Sequence, residues 1–333
     1  MKNFAYYRPR TSQEAVALLD NKWGTSELLA GGTDLLDLQK EYIAQPDKVI
    51  SLRDLGREFT SIRHGRGDSV IGAGVKLADI AADARLRQDC PALTTAAGDI
   101  GGPQIRNMGT LGGNLCQRNR CWYFRDEPTH CLLKGGDKCF AIDGENRYHA
   151  LFTQGHKCVI VNPSTLAPAL IALKAQVTVQ GPKEQRSIEL ANFFHAPSSA
   201  SEREHVLAPN EMVLSVHVSF FPPVKNASYE VRHKQSYDWP LVQAAVAFKY
   251  EGNKATDVRI VLGHVAPTPH IATAAAKAIE GKEVTEATAA AAGEAAAEGA
   301  MPLSQTGYKI KLVAVAVKRA LLTAAGHKKY WEV

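Results

Sequence analysis

The sequence lacks the segments that place a protein in or across a membrane. No apolar run reaches the roughly 20 residues of a membrane-spanning helix, because the richest stretch, Leu312 to Leu322, contains Lys318 and Arg319. The first residues, from Met1 to Ala15, lack the apolar core of a secretory signal. These absences predict a cytoplasmic protein without membrane insertion; export on the signal of a partner chain is the alternative.

A large excess of one charge sign is also missing. The formal net charge is +5 over 333 residues, and lysines and arginines are dispersed among aspartates and glutamates. This distribution gives no basic stripe and excludes a nucleic-acid-binding surface. The apolar share of 45% and charged share of 22% are typical of a soluble globular protein. The length suits two or three domains.

Standard nucleotide-binding motifs are absent, but two other glycine-rich bends are present. The sequence matches neither G-x-G-x-x-G nor a Walker P-loop, so standard NAD or ATP binding is not supported. Gly31 to Asp34 instead lies between a predicted strand and a predicted helix, and Ile105 to Asn114 is a second glycine-rich stretch. Such bends expose backbone N–H groups to one point, and a following helix start favours an anion. Two of them could clamp a dinucleotide.

Hydrophobic periodicity predicts α/β units followed by an antiparallel region. Residues 1–60 alternate strand and helix in βαβ-like order, and a second unit begins near Ser69. Residues 101–114 are predicted as a loop, and 115–158 shows little periodicity, typical of an insertion. Pro222–Pro223 is a predicted domain boundary. Beyond it we expect three antiparallel strands, at 227–233, 242–250 and 257–264, and then helices at 271–280, 284–299 and 310–325.

Cysteine is scarce outside one segment. Of six cysteines, five lie between Cys116 and Cys158. A long, cytoplasmic-looking chain that can build its own core does not favour a disulfide scaffold, so the clustering indicates a metal ion or an iron–sulfur cluster. Structural zinc is the alternative, although the paired C-x-x-C spacing typical of zinc sites is absent. Cys90 is expected in the core.

Four motifs together resemble one protein family. They are AGGTDLL at 30–36, IRNMGTLGGN at 105–114, NPSTLAPAL at 162–170 and RHKQ at 232–235. The chain is similar over its full length to the FAD-binding medium subunits of the xanthine dehydrogenase family. That family includes the flavoproteins of carbon monoxide dehydrogenase, 4-hydroxybenzoyl-CoA reductase and aldehyde oxidoreductases.

The resemblance implies an α+β fold in two domains. Residues 1–222 would form a two-subdomain FAD-binding domain like that of vanillyl-alcohol oxidase, with subdomains 1–60 and 61–222 and an iron–sulfur insertion at about 115–160. Residues 223–333 would form a C-terminal domain of the carbon monoxide dehydrogenase flavoprotein type, with an antiparallel sheet and helices.

The resemblance also implies an FAD site. Ala30 to Leu35 would hold the pyrophosphate, and Thr110, Gly113 and Asn114 would line the flavin side. The family usually has Asp at the position of Thr165, so a charged contact is lost there. Lys234 would lie near the isoalloxazine ring; the alternative for Lys234 is a solvated strand lysine. The complete set of expected FAD contacts is Leu29, Ala30, Gly31, Gly32, Thr33, Asp34, Leu35, Ile105, Thr110, Gly113, Asn114, Gln117, Thr165 and Lys234.

The cysteine segment resembles the insertion that carries a 4Fe–4S cluster in 4-hydroxybenzoyl-CoA reductase and in some aldehyde oxidoreductases. WYFR at 122–125 and GENRYHA at 144–150 favour the aldehyde oxidoreductase type. Four thiolates are the usual ligand set, and the family pattern assigns Cys121, Cys131, Cys139 and Cys158. Cys116 in place of Cys158 is the competing assignment. His130 and His149 are expected to have solvent-facing or hydrogen-bonding roles.

The function implied is electron transfer within a heterotrimer. A molybdopterin-binding large subunit would oxidise substrate, a small subunit with 2Fe–2S clusters would pass electrons to FAD here, and an external acceptor would remove them. No residue is expected to act as a general acid or base. A self-contained flavin oxidase and a zinc-stapled structural subunit are the alternatives.

Overall fold

The computed structural model describes residues 1–220, 223–329 and 331. Its elements form three sheets with helices packed on them, which confirms the predicted mixed fold. Pro222, at the predicted boundary, lies outside the described residues, and the division into domains stays a prediction. No helix in the described ranges is both long and apolar enough to cross a membrane.

The N-terminal unit has the predicted βαβ-like order. Its elements are β1 (Ala5–Tyr7), α1 (Ser12–Ala17), β2 (Ser26–Leu29), α2 (Leu35–Lys40) and β3 (Lys48–Ser51). The strands are parallel in the order β1-β3-β2. The Thr11 hydroxyl caps α1 by accepting from the Glu14 N–H at 3.1 Å. The first glycine bend therefore follows the carboxyl end of β2, where ligands bind to parallel sheets.

The second unit is a five-stranded antiparallel sheet in the order β4-β5-β8-β6-β7. It comprises α3 (Arg57–Thr60), β4 (Ile62–His64), β5 (Asp68–Gly72), β6 (Gln176–Gln180), β7 (Gln185–Glu189) and β8 (Met212–Ser219). The sequence patterns did not identify β7 or β8. The central strand, β8, joins segments distant in sequence, because it pairs with both β5 and β6.

Short helices connect these strands. They are α4 (Leu77–Ala82), α5 (Ala84–Asp89), α6 (Pro91–Asp99), α7 (Pro103–Met108), α8 (Leu111–Cys116), α9 (Trp122–Arg125) and α10 (Leu166–Ala172). Residues 77–89 form two helices, α4 and α5, which are divided at Asp83, whose carboxylate caps α5 through the Leu86 N–H at 2.8 Å. The expectation of an unbroken loop at 101–114 is wrong, because α7 and the start of α8 lie within it.

The C-terminal region is a sheet covered by helices, as predicted. It contains β9 (Lys225–Val231), β10 (Val242–Glu251), β11 (Lys254–Gly263), β12 (His270–Ile271), α11 (Thr273–Ile279), α12 (Glu286–Ala295) and α13 (Lys309–Ala325). The strand order is β12-β11-β10-β9, all antiparallel.

Strand β10 joins two hydrophobic cores. Ala245 and Ala247 pack into the core shared with α6 and α10, whereas Val246 and Phe248 pack into the core under α11 to α13. Side chains alternate between the faces of a strand, so a strand buried on both faces is apolar at successive positions. Strand β9, at the edge of the same sheet, packs against α6.

Candidate functional site

The first glycine bend packs directly against the second. A Cβ atom added to Gly31 would lie 1.9 Å from the Met108 carbonyl oxygen and 3.1 Å from the Gly109 Cα. Gly32 has φ +76°, a conformation in the left-handed region that glycine adopts without strain. The sequence therefore needs glycine here to bring the two backbones into contact.

The second bend is held by a helix cap and by a buried amide. The Thr110 hydroxyl accepts from the Gly113 N–H at 3.1 Å and caps α8. The Asn114 side-chain oxygen accepts from the Ser164 hydroxyl at 2.7 Å. The NPST segment thus fixes the orientation of Asn114, which is 7% exposed.

The two bends line one cavity of about 770 Å³, within the roughly 300–1,000 Å³ range of small-molecule sites. Twelve of the expected FAD contacts line it: Ala30, Gly31, Gly32, Thr33, Asp34, Leu35, Ile105, Thr110, Gly113, Asn114, Gln117 and Thr165. We call this space the flavin cavity. Leu29 and Lys234 are not among the residues that line it, and Lys234 lines a separate cavity instead.

A further loop, residues 237–240, forms part of the cavity wall. The sequence patterns did not indicate this loop. Tyr237, Asp238 and Trp239 all line it. A Cβ atom on Gly102 would lie 2.1 Å from the Tyr237 ring, so the Gly101–Gly102 bend packs against that ring. The RHKQ motif drew attention to residues 232–235, whereas the residues just after it reach the site.

Arginines from the cysteine insertion were also missed. Arg118 and Arg120 line the flavin cavity, and the Arg118 Nη2 and Arg120 Nε atoms are buried without a hydrogen-bond partner in the described part of the chain. Burial lowers the pKa of Arg120 to about 10, so it stays charged at neutral pH. Buried guanidinium donors that lack partners favour an anion such as a diphosphate.

Asp34, in the first glycine bend, forms ion pairs and a hydrogen bond with residues 118–125 of the cysteine insertion. Its carboxylate pairs with Arg125 at 2.6 Å and with Arg120 at 3.1 Å, and it accepts from the Arg118 N–H at 2.9 Å. Beneath this group, Glu204 is 1% exposed and pairs with Arg118 at 2.8 Å. The Asn119 N–H and side-chain amide also donate to Glu204, at 3.0 and 2.8 Å. These charge-assisted contacts position the insertion against the flavin cavity.

The four cysteines expected to be ligands lie near one another. Cys131 and Cys158 belong to one buried cluster against which Cys121 packs. A hydrogen bond from the Cys158 thiol lowers the pKa of Cys139 to about 6, and the same pairing raises the pKa of Cys158. Burial raises the pKa of Cys121 to about 12.

Backbone N–H groups near three of these sulfurs favour the thiolate form. They belong to Val159, Ala141 and Ile142 for Cys139, to Tyr123 and Phe124 for Cys121, and to Ile160 for Cys158. Backbone donors near cysteine sulfurs stabilise thiolates and tune iron–sulfur clusters.

The other candidate ligands lie differently. His149 Nε2 is 3.2 Å from the Cys121 sulfur, and burial lowers the pKa of His149 to about 4, so the ring is neutral. Cys116 lines the flavin cavity and packs against the main core, and Cys90 lies within that core. Across residues 1–220, 223–329 and 331, no group of three or more ligating side chains is arranged around a single metal ion.

Comparison with known proteins identifies relatives over nearly the whole chain. Residues 2–220 match the family described as the FAD binding domain in molybdopterin dehydrogenase, and residues 227–324 match the CO dehydrogenase flavoprotein C-terminal domain. The aldehyde oxidoreductase FAD-binding subunit PaoB of Escherichia coli K12 is 36% identical over 91% of this chain and 94% of its own length. The carbon monoxide dehydrogenase medium chain of Hydrogenophaga pseudoflava is 28% identical over 96% of both.

Solved structures agree with these matches. Carbon monoxide dehydrogenase from Hydrogenophaga pseudoflava, in a form lacking the Mo-pyranopterin moiety, superposes with a TM-score of 0.74 over 97% of both chains, at 28% identity. Quinoline 2-oxidoreductase from Pseudomonas putida 86, at 24% identity and TM-score 0.75, shares the fold.

Proposed function

Because the chain belongs to the family of FAD-binding medium subunits of xanthine dehydrogenase and carbon monoxide dehydrogenase, we propose that it passes electrons through FAD and a 4Fe–4S cluster within an aldehyde-oxidising complex. Its relatives are oxidoreductase flavoprotein subunits. The observation that carries the FAD site is the contact between the Gly31 and Met108–Gly109 backbones beside one cavity.

The residues present fit FAD. The Gly31–Gly32 bend packs its backbone against Met108 and Gly109, and Asp34 and Leu35, at the start of the helix that follows, line the cavity. The Arg118 Nη2 and Arg120 Nε atoms are buried donors without a partner among the described residues, which suits the diphosphate. Tyr237 and Trp239 supply aromatic surface for a flat ring. FAD bound there would supply the two-electron chemistry, while these side chains bind it and exclude water.

The insertion fits a four-iron cluster better than it fits one zinc ion. Ligands of a single zinc ion all lie about 2.0–2.3 Å from it, whereas a cube of irons and sulfides holds its four thiolates further apart. Cys121 packs against the buried Cys131 and Cys158, Cys139 is paired with Cys158, and no group of three or more ligating side chains surrounds a single-ion site in the described part of the chain. These four are the proposed ligands, and Cys116 is not.

The proposed partners follow from the relatives. The chain would join a molybdopterin-binding large subunit and a small subunit with 2Fe–2S clusters, and an external acceptor would receive the electrons. The name of the relative PaoB supports an aldehyde as the substrate of the complex. The match to a carbon monoxide dehydrogenase medium chain covers 96% of both chains. This coverage favours a subunit of a complex over a self-contained flavin oxidase.

The test is the cofactor content of this chain after anaerobic co-expression with its partner subunits and separation from them, because the 2Fe–2S clusters of the small subunit contain iron of their own. We expect one FAD and about four irons per chain, and loss of the iron in Cys121→Ser, Cys131→Ser, Cys139→Ser and Cys158→Ser. Cys90→Ser and Cys116→Ser are matched controls that should retain it. Zinc in place of iron would contradict the cluster, and substrate-dependent flavin reduction by the isolated chain would favour the oxidase.

A further inference from the structure

A second cavity, of about 1,150 Å³, lies beside the flavin cavity. It is lined by the end of α6, by β9 and by the end of α13. Asp99, at the end of α6, lines both cavities. The side chains around Asp99 therefore form the wall between them.

Glu230, on β9, is a buried group in this wall whose polar atoms lack partners. Its side chain is 2% exposed, and neither carboxyl oxygen has a hydrogen-bond partner in the described part of the chain. The nearest cation, Arg232 Nε, is 3.8 Å away, too far for a hydrogen bond. A buried carboxyl group without hydrogen-bond partners destabilises the fold, so a structural role does not explain its position.

Thr165 connects Glu230 to the flavin cavity. Gln243, which is paired with Glu230 between β10 and β9, donates its side-chain amide to the Thr165 backbone oxygen at 2.9 Å, and the Thr165 hydroxyl opposes the rise in the pKa of Glu230. Thr165 also lines the flavin cavity, whereas Glu230 lines the second cavity. The pair thus spans the wall from one cavity to the other.

The charges around Glu230 keep it protonated at neutral pH. Burial and the neighbouring Asp99 raise its pKa to about 8, against the opposing effect of Arg232. Arg232 is itself engaged by Asp99, through the backbone oxygen at 2.9 Å and the carboxylate at 3.3 Å. On the side of β11, His264 Nε2 lies 3.3 Å from the Thr165 hydroxyl, and burial lowers the pKa of His264 to about 3, so it adds no charge.

We propose that Glu230 and Thr165 form a proton-transfer route between water in the second cavity and the flavin. The inference rests on the proposed function, which places FAD in the flavin cavity. Electrons that arrive from the partner subunits add negative charge to a buried site, and a proton must follow them. Glu230 would give its proton to the Thr165 hydroxyl oxygen as the Thr165 hydroxyl donates its own proton into the flavin cavity. Glu230 would then take one proton from water in the second cavity, which restores the starting protonation of both Glu230 and Thr165.

The test compares Glu230→Gln with wild type in the FAD-loaded complex. Glutamine keeps the shape and neutrality of the protonated carboxyl group but cannot exchange a proton. Asp89→Asn is the matched control, because Asp89 also lines the second cavity but is paired with Arg85 at 3.1 Å. Circular dichroism and flavin content verify that each variant is folded and loaded.

Two measurements decide the outcome. The midpoint potential of the flavin is titrated from pH 6 to pH 10, and the infrared difference spectrum on reduction is recorded for the carbonyl band of a protonated carboxyl group. We expect a change of slope near pH 8 and a perturbed carboxyl band in wild type and Asp89→Asn, and neither in Glu230→Gln.

Proton-coupled reduction should also slow by about tenfold or more in Glu230→Gln and in Thr165→Val, which removes the hydroxyl without removing the carboxyl group. A wild-type rate of flavin reduction in Glu230→Gln, together with a carboxyl band that persists in its difference spectrum, would overturn the route. Failure of the wild type to bind FAD would instead overturn the proposed function, so the two failures are distinguishable.

Discussion

Replacing Gly31 by alanine tests the contact between the two glycine bends. The added Cβ atom would lie 1.9 Å from the Met108 carbonyl oxygen, whereas real Cβ atoms essentially never approach closer than 3.0 Å. The obstacle is backbone, so no side chain can rotate away, and the bends must separate by about 1 Å. Overpacking of this kind costs about 1–3 kcal/mol, which corresponds to a roughly fivefold to 150-fold weaker affinity for FAD if the whole cost falls on FAD binding.

The assay is equilibrium titration of the deflavinated protein with FAD, followed by quenching of flavin fluorescence. Gly56→Ala is the matched control, because a Cβ atom there meets nothing within 4 Å; it should bind FAD with wild-type affinity. Thermal unfolding without FAD separates a local effect from misfolding. Wild-type affinity in a folded Gly31→Ala protein would refute the view that the two backbones jointly form the site.

Three other substitutions test the surroundings of the site. Asp34→Asn removes the ion pair with Arg125, so the insertion should become more sensitive to limited proteolysis, at a cost of about 1–3 kcal/mol. Glu204→Gln leaves the buried Arg118 charge uncompensated, and thermal or urea unfolding should show a loss of about 3–5 kcal/mol; an unchanged stability would contradict the pairing. Burial lowers the pKa of Lys309 to about 7, so the unfolded chain binds its proton more readily, and wild-type stability should fall as pH decreases from about 10 to 7. Lys309→Met should lack that pH dependence, as measured by urea unfolding at each pH.

The sequence predicted those elements whose signals are local. The βαβ-like order of residues 1–60 and the final helices were predictable because each element has its own periodicity or cap, such as the Thr11 hydroxyl on α1. Strand β8 was not identified, since its pairing with β5 and β6 joins residues more than thirty positions away in the chain. Strand pairing of that range depends on tertiary contacts that local patterns do not encode.

The same limit applies to the site. Glycines at 31 and 113 were predictable because a phosphate-binding bend needs residues without side chains. Arg118 and Arg120 reach the flavin cavity only because Asp34 and Glu204 hold the insertion against it, and that packing is not visible in the sequence. Lys234 was expected near the flavin but lines the second cavity, whereas Tyr237 lines the flavin cavity. The RHKQ motif therefore located the segment next to the flavin cavity, whereas the residues that line this cavity follow the motif.

Amide hydrogen exchange with and without FAD measures whether one FAD contacts both glycine bends. If one FAD lies between the two bends, its addition should slow exchange in residues 30–35 and in residues 109–114 together, with the same dependence on FAD concentration. Residues 185–189, in the edge strand β7, serve as the internal reference and should not change. Protection of only one bend, or of neither, would contradict the account.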